Sequence, residues 1–543
     1  MIPIKLSTKG RYGVKAMLDL AINYNREPIS LKLIAERQNI PENYLEQLFT
    51  PLRKTGLIKS TRGVLGGYVL GKAPSDISIF DIMNVLEGSV EISDCVDEPN
   101  CENVDCCATR LLWVKTKDSI EQVFKSTTLA DMVFDFERLK TNREGVEMEK
   151  RIVYMDYAAT TYLKPEVGVA MHPYMQEYFG NPSSIYSISR NTQAAIEKSR
   201  EQVANALNAA KEEIYFTGGG SEADNWALKG VAFANRQKGN HIITTKIEHH
   251  AILHTCQFLE RNGFEVTYLP VDEYGFVNLE DLKKAITEKT ILVSVMFANN
   301  EIGTIEPIKE IGAICRERKV LFHTDAVQAV GHIPIDVKAM NIDMLSLAAH
   351  KLYGPKGVGA LYIRKGVKID NLIHGGGQER SRRAGTENIA GIVGLGKAIE
   401  LAVENMEVEN NELLRLKDKL IAGLLEIPHT KLNGPVDDRR LAGNVNVCFE
   451  FVEGESILLL LDSEGICASS GSACTSGSLD PSHVLVAIGV PTEIVHGSLR
   501  LSMGSQTTDE DVERVLKVLP GIVERLRNMS PLWREYQRKE LTC

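Results

Sequence analysis

From residue 151 onward, short runs of β-forming residues alternate with longer stretches that have helical periodicity. Four of these runs are His241–Thr245, Ile291–Phe297, Val320–His323 and Met344–Leu347. Such alternation is typical of α/β folds with a mainly parallel sheet, because each helix returns the chain to the same end of the sheet. The pattern therefore predicts an α/β architecture for this part of the chain.

A polar stretch separates this region from a shorter N-terminal one. Residues 140–150 have no apolar periodicity and contain Gly145, which is typical of a linker. At 543 residues, the chain is long enough for several domains. We predict an N-terminal domain at 1–138, a linker at 139–150 and a C-terminal region at 151–543. Within the last, a large domain would cover about 165–405, and the flanking segments would form a small domain.

Charge and composition restrict the partners of these regions. Residues 1–72 contain 12 Lys or Arg and 5 Asp or Glu, whereas residues 73–145 contain 7 and 15, and the whole chain has a net charge of −10. A basic end on an acidic protein indicates an anionic partner there, with an ordinary solvated surface as the alternative. No apolar run approaches the roughly 20 residues that cross a bilayer. Ten cysteines are too few for a disulfide scaffold, so we expect a cytoplasmic protein without a membrane segment.

Residues 29–70 have the pattern of a winged helix-turn-helix. Ser30 can cap a helix at Leu31–Gln38, and a second helix follows from about Glu42 to Thr55. A Gly-rich turn then joins two predicted strands, Leu57–Ser60 and Tyr68–Leu70. In this motif the second helix enters the DNA major groove; the alternative is a small helical domain that binds protein. The predicted DNA contacts are Tyr44, Glu46, Arg53, Lys54, Lys59 and Arg62.

Four cysteines lie close together after the predicted wing: Cys95, Cys101, Cys106 and Cys107. Their spacing differs from the paired C-x2-C of structural zinc sites. Thiolates favour zinc or iron–sulfur ligation over hard ions. The alternative is four unliganded cysteines in a loop.

This region resembles the IscR-type family of iron–sulfur-sensing transcription regulators over about residues 5–135. The stretches that carry the resemblance are Ser7–Tyr12, Tyr44–Phe49, Leu52–Lys54 and Arg62–Tyr68. The resemblance implies a dimeric winged-helix regulator of double-stranded DNA that holds a [2Fe–2S] cluster. The implied cluster ligands are Cys95, Cys101 and Cys107. Arg110 stands where a known member has a His as fourth ligand, so Cys106, a carboxylate or a group from elsewhere would complete the set.

Three elements of the C-terminal region together match the protein side of a pyridoxal phosphate (PLP) site. Lys351 lies between a predicted buried strand and a Gly/Pro turn, and Asp325 ends another strand, with Gln328 three residues later. Glycines 218–220 and Ser221 open a helix whose first N–H groups can hold a phosphate. PLP needs a lysine for its aldehyde, an aspartate for its ring nitrogen and a phosphate cradle. All three lie where strands end, which is where open α/β sheets bind ligands.

Residues 151–535 resemble the NifS/IscS cysteine desulfurases over nearly their full length. The motifs that carry the resemblance are Met155–Thr161, Gly180–Ser183, Glu248-His249, Asn299–Gly303, His374–Arg380, Gly385-Thr386, Ser470–Ser476 and Ser498–Arg500. The resemblance implies a fold-type-I PLP architecture and a homodimer. It also implies L-cysteine as the substrate and an iron–sulfur scaffold protein as the sulfur acceptor.

The same resemblance implies a role for each candidate residue. Cys474 would be the nucleophile that receives sulfur, Lys351 would bind the cofactor and move the Cα proton, and Arg500 would clamp the substrate carboxylate. His249 would stack on the cofactor ring. The other contacts, mainly to the cofactor, would come from Gly220, Ser221, Asn300, Asp325, Gln328, His350 and Thr386 of the partner subunit. One departure is Ala348, which stands where the family has a phosphate-binding Ser.

These inferences predict a fusion of an iron–sulfur-responsive regulator with a PLP-dependent cysteine desulfurase. One rival is a selenocysteine lyase or another aminotransferase-like enzyme on the same fold. Another is a DNA-binding regulator whose PLP domain senses an amino acid. The loop of small residues around Cys474 argues against an aminotransferase, because a thiol on such a loop suits sulfur transfer.

Overall fold

A computed structural model of the chain describes residues 7–24, 28–61, 66–89, 96, 107–133, 135–136, 151–470 and 481–540. The chain divides into two compact units, Met1–Lys150 and Arg151–Cys543. The predicted linker at 139–150 lies outside the described residues. Across the described ranges, no helix combines the length and the apolar character that crossing a membrane requires.

The N-terminal unit contains a helix-turn-helix and a two-stranded hairpin. Its described α-helices and β-strands are α1 (Thr8–Ile22), α2 (Leu31–Gln38), α3 (Glu42–Lys54), β1 (Ile58–Thr61), β2 (Gly67–Leu70), α4 (Ile79–Glu87) and α5 (Ala108–Ser126). Ser30 caps α2, because its Oγ accepts a hydrogen bond from the backbone N–H of Leu33 at 3.2 Å. The prediction of α2 is confirmed to the residue, whereas α3 ends one residue earlier than predicted.

The core of this unit forms where α1, α3 and α4 pack together. Leu45, Leu48, Phe49 and Leu52 are buried on one face of α3. The opposite face of α3 is exposed and polar. The helix is therefore amphipathic, and its outer face is free of apolar packing.

The C-terminal unit is built on a seven-stranded sheet of order β4-β10-β9-β8-β7-β5-β6. Its strands are β4 (Ile214–Thr217), β5 (His241–Thr245), β6 (Glu265–Leu269), β7 (Thr290–Ser294), β8 (Leu321–Asp325), β9 (Met344–Ala348) and β10 (Gly359–Ile363). β10 is antiparallel to both of its neighbours, and the pairs from β9 to β6 are parallel. The prediction of an α/β fold with a mainly parallel sheet is confirmed.

Helices pack against both faces of this sheet. They are α6 (Pro165–Gln176), α7 (Ile188–Ala206), α8 (Gly220–Asn235), α9 (His250–Glu260), α10 (Leu279–Ala285), α11 (Ile308–Arg318) and α12 (Ile389–Leu425). Successive strand residues alternate between two cores, so that Leu292 joins the core with Trp226 of α8, and Val293 joins the core with Val203 of α7.

A smaller layer contains a three-stranded sheet of order β11-β12-β14 and a short parallel pair of β3 and β13. Its elements are β3 (Val153–Tyr154), β11 (Thr430–Leu432), β12 (Asn444–Phe449), α13 (Gly454–Ser463), β13 (Ile466–Cys467), α14 (His483–Ala487), α15 (Thr492–Val495), β14 (Ser498–Ser502), α16 (Asp509–Met529) and α17 (Pro531–Glu540). Leu499 and Leu501 of β14 are buried in the core of this layer. Arg500, between them in sequence, therefore points to the other side of the strand.

Candidate active site

A cavity of about 300 Å³ lies at the carboxyl ends of the parallel strands. The predicted site residues that line it are Gly220, Ser221, His249, Asn300, Asp325, Gln328, His350, Lys351 and Arg500. Thr386 is exposed and is not part of this lining. Cys474 lies outside the described residues. The fold thus brings most of the predicted set to one cavity.

Lys351 is held by the backbone that follows β3. Its Nζ donates hydrogen bonds to the carbonyl oxygens of Ala158 at 2.5 Å and Ala159 at 2.7 Å. A short 3-10 turn, Ala349–Lys351, directly follows β9 and places the lysine at the end of that strand. Gln328 Nε2 donates to the same Ala158 carbonyl at 2.9 Å. The amine and this amide are therefore fixed side by side on the cavity wall.

Asp325 is a buried carboxyl group at the end of β8. Its Oδ1 accepts a hydrogen bond from the backbone N–H of Val327 at 3.0 Å. Burial raises the pKa of Asp325, and the nearby His249 and Lys351 act in the opposite direction. A buried aspartate that lines a cavity can hold a protonated ring nitrogen, since pairing offsets the cost of burying either charge.

His249 reaches the cavity from the start of α9. Its Nδ1 accepts a hydrogen bond from the backbone N–H of Ala251 at 3.1 Å, so Nε2 carries the proton of the neutral ring. Ligand atoms of His249, Asp224 and Asp325 all lie within 4.8 Å of one another. An imidazole this close to Asp325 can cover the face of a ring whose nitrogen Asp325 binds.

The N-terminus of α8 supplies a site for an anion. A Cβ at Gly220 would lie 2.7 Å from Val327 Cγ2, so glycine allows a close approach that larger residues would prevent. The first N–H groups of this 16-residue helix, including that of Ser221, have no acceptor within the helix. His350 lines the same cavity. Burial and two neighbouring lysines lower the pKa of His350 to about 4, so its ring is neutral at pH 7 and can donate one hydrogen bond.

Arg500 is a buried cation with a fixed direction. Its Nη2 lies 2.8 Å from Asp156 Oδ1, and its Nη1 donates to the carbonyl oxygen of Asn300 at 3.0 Å. Its Nε is buried and has no hydrogen-bond partner among the described residues. The guanidinium is therefore held at two positions and keeps N–H groups that a carboxylate can accept from.

Two carboxyl groups at this site were not predicted from the sequence. Asp224 is buried, lines the cavity and lies three residues after Ser221, which places the two on one face of α8. That spacing could have identified Asp224. Asp156 pairs with Arg500 across 344 residues of sequence, and no local pattern indicates that contact.

The residues of the cavity fit PLP. The amine of Lys351, the carboxyl group of Asp325 and the cradle at Gly220 are complementary to its aldehyde, ring nitrogen and phosphate. Ala348 lines the cavity without offering a hydroxyl group. Ser221, His350 and the first-turn N–H groups of α8 are the donors that could hold its phosphate.

The predicted DNA contacts of the N-terminal unit are mostly exposed. Glu46, Arg53, Lys54 and Lys59 all lie at the surface. Tyr44 is half-buried and packs edge-on against Tyr12, with ring centroids 5.8 Å apart, so it belongs partly to the core. Arg62 lies outside the described residues.

Of the four clustered cysteines, the structure describes Cys107. Cys95, Cys101 and Cys106 lie outside the described residues. Cys107 Sγ lies 3.1 Å from Thr109 Oγ1. This contact, together with the backbone N–H of Arg110, lowers the pKa of the Cys107 thiol. The environment therefore favours the thiolate, the form that binds metals.

Glu248 is a buried carboxyl group next to His249. It accepts hydrogen bonds from Thr245 Oγ1 at 2.8 Å and from the backbone N–H of Met296 at 2.9 Å. Burial nevertheless raises the pKa of Glu248 to about 8. The native protein therefore keeps a proton on this group at neutral pH.

Replacing Glu248 by Gln should weaken the pH dependence of unfolding. The native carboxyl keeps its proton up to about pH 8, whereas the unfolded chain loses it above the usual pKa of 4.5, so stability falls as pH rises between these values. This one group contributes up to about 1.4 kcal/mol per pH unit to that fall. Urea unfolding of the cofactor-free protein across this range should give a shallower slope for E248Q; equal slopes would show that native Glu248 is ionised.

The sequence matches the Aminotransferase class-V family over residues 153–515 and the Iron-dependent Transcriptional regulator family, Rrf2, over residues 6–135. It is 67% identical over 390 residues to a cysteine desulfurase IscS of Clostridium botulinum, which covers 72% of this chain and 98% of that protein. A cysteine desulfurase IscS of Methanosarcina thermophila is 65% identical over 389 residues, with 72% and 96% covered. Among solved structures, a NifS-like protein matches with a TM-score of 0.66 at 40% identity, over 69% of this chain and all of that one. The chain therefore belongs to the class-V aminotransferase family, is similar there to the cysteine desulfurases IscS, and carries an N-terminal domain of the Rrf2 family.

Proposed function

We propose that the C-terminal unit is a PLP-dependent cysteine desulfurase that converts L-cysteine to L-alanine and leaves the sulfur as a persulfide on Cys474. The observation that supports this most is the single cavity that contains the amine of Lys351, the carboxyl group of Asp325 and the guanidinium of Arg500. High identity to two cysteine desulfurases, over nearly their whole length, supports the same reaction.

In this proposal, bound PLP supplies a ring that withdraws the electrons released at the substrate Cα. Lys351 holds the cofactor through its amine and moves the Cα proton. Asp325 keeps the ring nitrogen protonated, and His249 covers one face of the ring. The remaining cofactor contacts come from Gly220, Ser221, Asn300, Gln328, His350 and Thr386 of the partner subunit.

Arg500 and Cys474 act on opposite ends of the substrate. The guanidinium binds the substrate carboxylate, and Asn300 lies beside it. The Cys474 thiolate attacks the substrate sulfur, so that an S–S bond forms while the Cβ–S bond breaks. The electron pair of that bond stays with Cβ, which takes a proton and becomes the methyl group of alanine. Cβ is reduced by two electrons, and the Cys474 sulfur and the substrate sulfur are each oxidised by one, so no external oxidant is needed.

Cys474→Ala should bind PLP but lose alanine formation from cysteine, because no thiolate remains to accept sulfur. Lys351→Ala should lose the covalent link to the cofactor, which changes the absorption spectrum. Absorption spectra and an alanine assay of the full chain would measure both effects. Cys315→Ala, which removes a buried thiol away from the cavity, is the control. Turnover of Cys474→Ala near the parent rate would mean that another group accepts the sulfur.

We further propose that the N-terminal unit binds double-stranded DNA. The exposed face of α3 presents Glu46, Arg53 and Lys54, while the other face of this helix is buried. Lys59 of β1 is exposed as well. The surplus of basic residues over 1–72 favours contact with phosphates.

Lys54→Ala should weaken binding to every duplex and reduce its dependence on salt. Losing one phosphate contact releases one counterion fewer, so the slope of log K against log salt should fall by about one. Fluorescence anisotropy at several salt concentrations would measure the slope. Lys283→Ala, which breaks an exposed ion pair of the C-terminal unit, is the matched control. A slope unchanged from the parent would mean that Lys54 does not contact a phosphate.

A [2Fe–2S] cluster is the proposed sensor of this unit. The lowered pKa of Cys107 supports it, because iron binds the thiolate. Cys95 and Cys101 are the other proposed ligands, and Cys106 or a group from elsewhere is the fourth.

Cys107→Ala should remove the visible absorption of the cluster from protein purified without oxygen, because it removes one of three thiolates. Cys448→Ala, which removes a buried thiol, is the control and should keep the absorption. Cys106→Ala should lose less than Cys107→Ala. A colourless parent protein that contains stoichiometric zinc would contradict the iron–sulfur assignment.

Both units are proposed to pair with a second copy of the chain. α5 has no buried residue, and its Leu111, Leu112 and Val123 are 62%, 55% and 60% exposed. In the C-terminal unit, Phe179 and Ile185 are 75% and 98% exposed. Covering such apolar side chains removes them from water and stabilises the pair. The proposed sulfur acceptor is an iron–sulfur scaffold protein, and the proposed compartment is the cytoplasm, where thiols stay reduced.

A further inference from the structure

Glu301 is a buried carboxyl group to which the reaction described above assigns no role. It follows Asn300 directly and is 5% exposed. Its Oε2 accepts a hydrogen bond from Ser482 Oγ at 2.5 Å. Its backbone N–H donates to Asn299 Oδ1 at 2.8 Å, and its carbonyl oxygen accepts from Asn446 Nδ2 at 3.1 Å. Glu301 is thus fixed on both its backbone and its side chain, beside the substrate-binding Asn300.

Ser482 connects Glu301 to the chain that follows Cys474. Residues 481 and 482 are the first described residues after the stretch that contains Cys474. While Ser482 Oγ donates to Glu301, it accepts from the backbone N–H of Leu485 at 3.2 Å. Leu485 of α14 packs with Ile302 in one hydrophobic cluster. The hydroxyl group therefore joins the carboxyl of Glu301 to the first turn of α14.

Ser469 fixes the chain on the other side of Cys474. Its backbone N–H donates to the carbonyl oxygen of Arg500 at 3.2 Å, and the N–H of Arg500 donates to the carbonyl oxygen of Ser469 at 2.6 Å. The chain is therefore attached on both sides of Cys474 to the region that would bind the substrate carboxylate. Arg500 makes one attachment, and Glu301 makes the other.

We propose that Glu301 is a positioning residue for sulfur transfer: by binding Ser482, it sets the place of the chain after Cys474 relative to the carboxylate site at Arg500. The inference rests on the proposed desulfurase reaction, and it adds a residue to it. In that reaction the Cys474 thiolate must reach the sulfur of a substrate whose carboxylate is already held. The hydrogen bond between Glu301 and Ser482 meets this requirement, because it fixes the chain after Cys474 relative to the carboxylate site.

A rival role for Glu301 is purely electrostatic. Burial raises its pKa to about 7, whereas the Ser482 hydroxyl, Arg500 and His249 lower it, so the carboxyl group of Glu301 is coupled electrostatically to the Arg500 cation. If Glu301 acted through Arg500, its loss would weaken the binding of any α-carboxylate. If it acts through Ser482, its loss would slow only the steps that need Cys474. The two roles separate when carboxylate binding is measured with a ligand that has no sulfur.

The test compares Glu301→Gln, Ser482→Ala and the double variant in the full-length, PLP-loaded protein. L-Alanine has the carboxylate and amine of the substrate but no sulfur, and its dissociation constant follows from the absorption change of the bound cofactor. The second quantity is the single-turnover rate of alanine formation from saturating L-cysteine. Asn278→Ala is the matched control, because it removes a helix cap whose Oδ1 accepts from the N–H of Glu280 at 2.8 Å, away from the cavity.

We expect Ser482→Ala to lower the single-turnover rate about tenfold, and Glu301→Gln to lower it in the same direction. Both should leave the L-alanine dissociation constant within about twofold of the parent value. Because the two side chains act through one hydrogen bond, the double variant should be no slower than the slower single variant.

Parallel losses of L-alanine affinity and turnover would overturn the inference, because Glu301 would then act through Arg500. Unchanged turnover in Ser482→Ala, or additive losses in the double variant, would overturn it as well. A parent protein that forms no alanine from cysteine would overturn the desulfurase reaction itself. That outcome is distinct from an active parent whose variants behave like it, which would overturn only the role of Glu301.

Discussion

The common direction of strands β5, β7, β8 and β9 is the constraint on which the candidate active site depends. Parallel pairing places the carboxyl ends of these strands at one edge of the sheet, and side chains from distant parts of the sequence meet there. The antiparallel strand β10 begins at this same edge of the sheet, where its first residue, Gly359, pairs with Ala348 at the end of β9. A Cβ at Gly359 would lie 2.9 Å from Gly219 Cα, so glycine at 359 lets the turn before α8 cross close to the sheet. The anion site at the start of α8 therefore reaches the cavity that holds Lys351.

Electrostatics explains why so many acids can be buried around this cavity. Asp224 and Glu248 are fully buried, and burial raises the pKa of each, so that they hold protons that an exposed carboxyl would lose. Burial raises the pKa of Asp325 as well, but there the nearby His249 and Lys351 act in the opposite direction. A protonated ring nitrogen placed against Asp325 would favour ionisation of that carboxyl group, because pairing offsets the cost of burying either charge.

How much of this the sequence could predict follows from how far apart the interacting residues lie. Lys351, Asp325 and Ser221 each stand in a local pattern of strand end, turn or helix start, and such patterns can be read without a structure. The bond between Ser482 and Glu301 spans 181 residues, and it depends on the packing of α14 rather than on any motif. Tyr44 shows the same limit. Its position in α3 was predicted from the sequence, but its contact with Tyr12 depends on how α1 packs against α3. The sequence predicts which groups the site contains, whereas the contacts that orient them depend on tertiary packing.

In the proposed assembly each unit pairs with a second copy, and joining the two units has a consequence for both pairings. Once one pair of units has formed, pairing of the other becomes intramolecular, at an effective concentration on the order of millimolar for short linkers that can span the sites. Weak contacts along α5 would then suffice to keep two winged helices on one assembly, since the proposed pairing of the enzyme units would hold the two copies together. Gain or loss of a cluster would in that case change how the paired winged helices bind DNA rather than how many copies assemble. The charge distribution favours the same arrangement. Residues 146–543 contain 43 Lys or Arg and 52 Asp or Glu, so this acidic part of the chain would repel DNA, and the proposed DNA contact would be confined to the basic end.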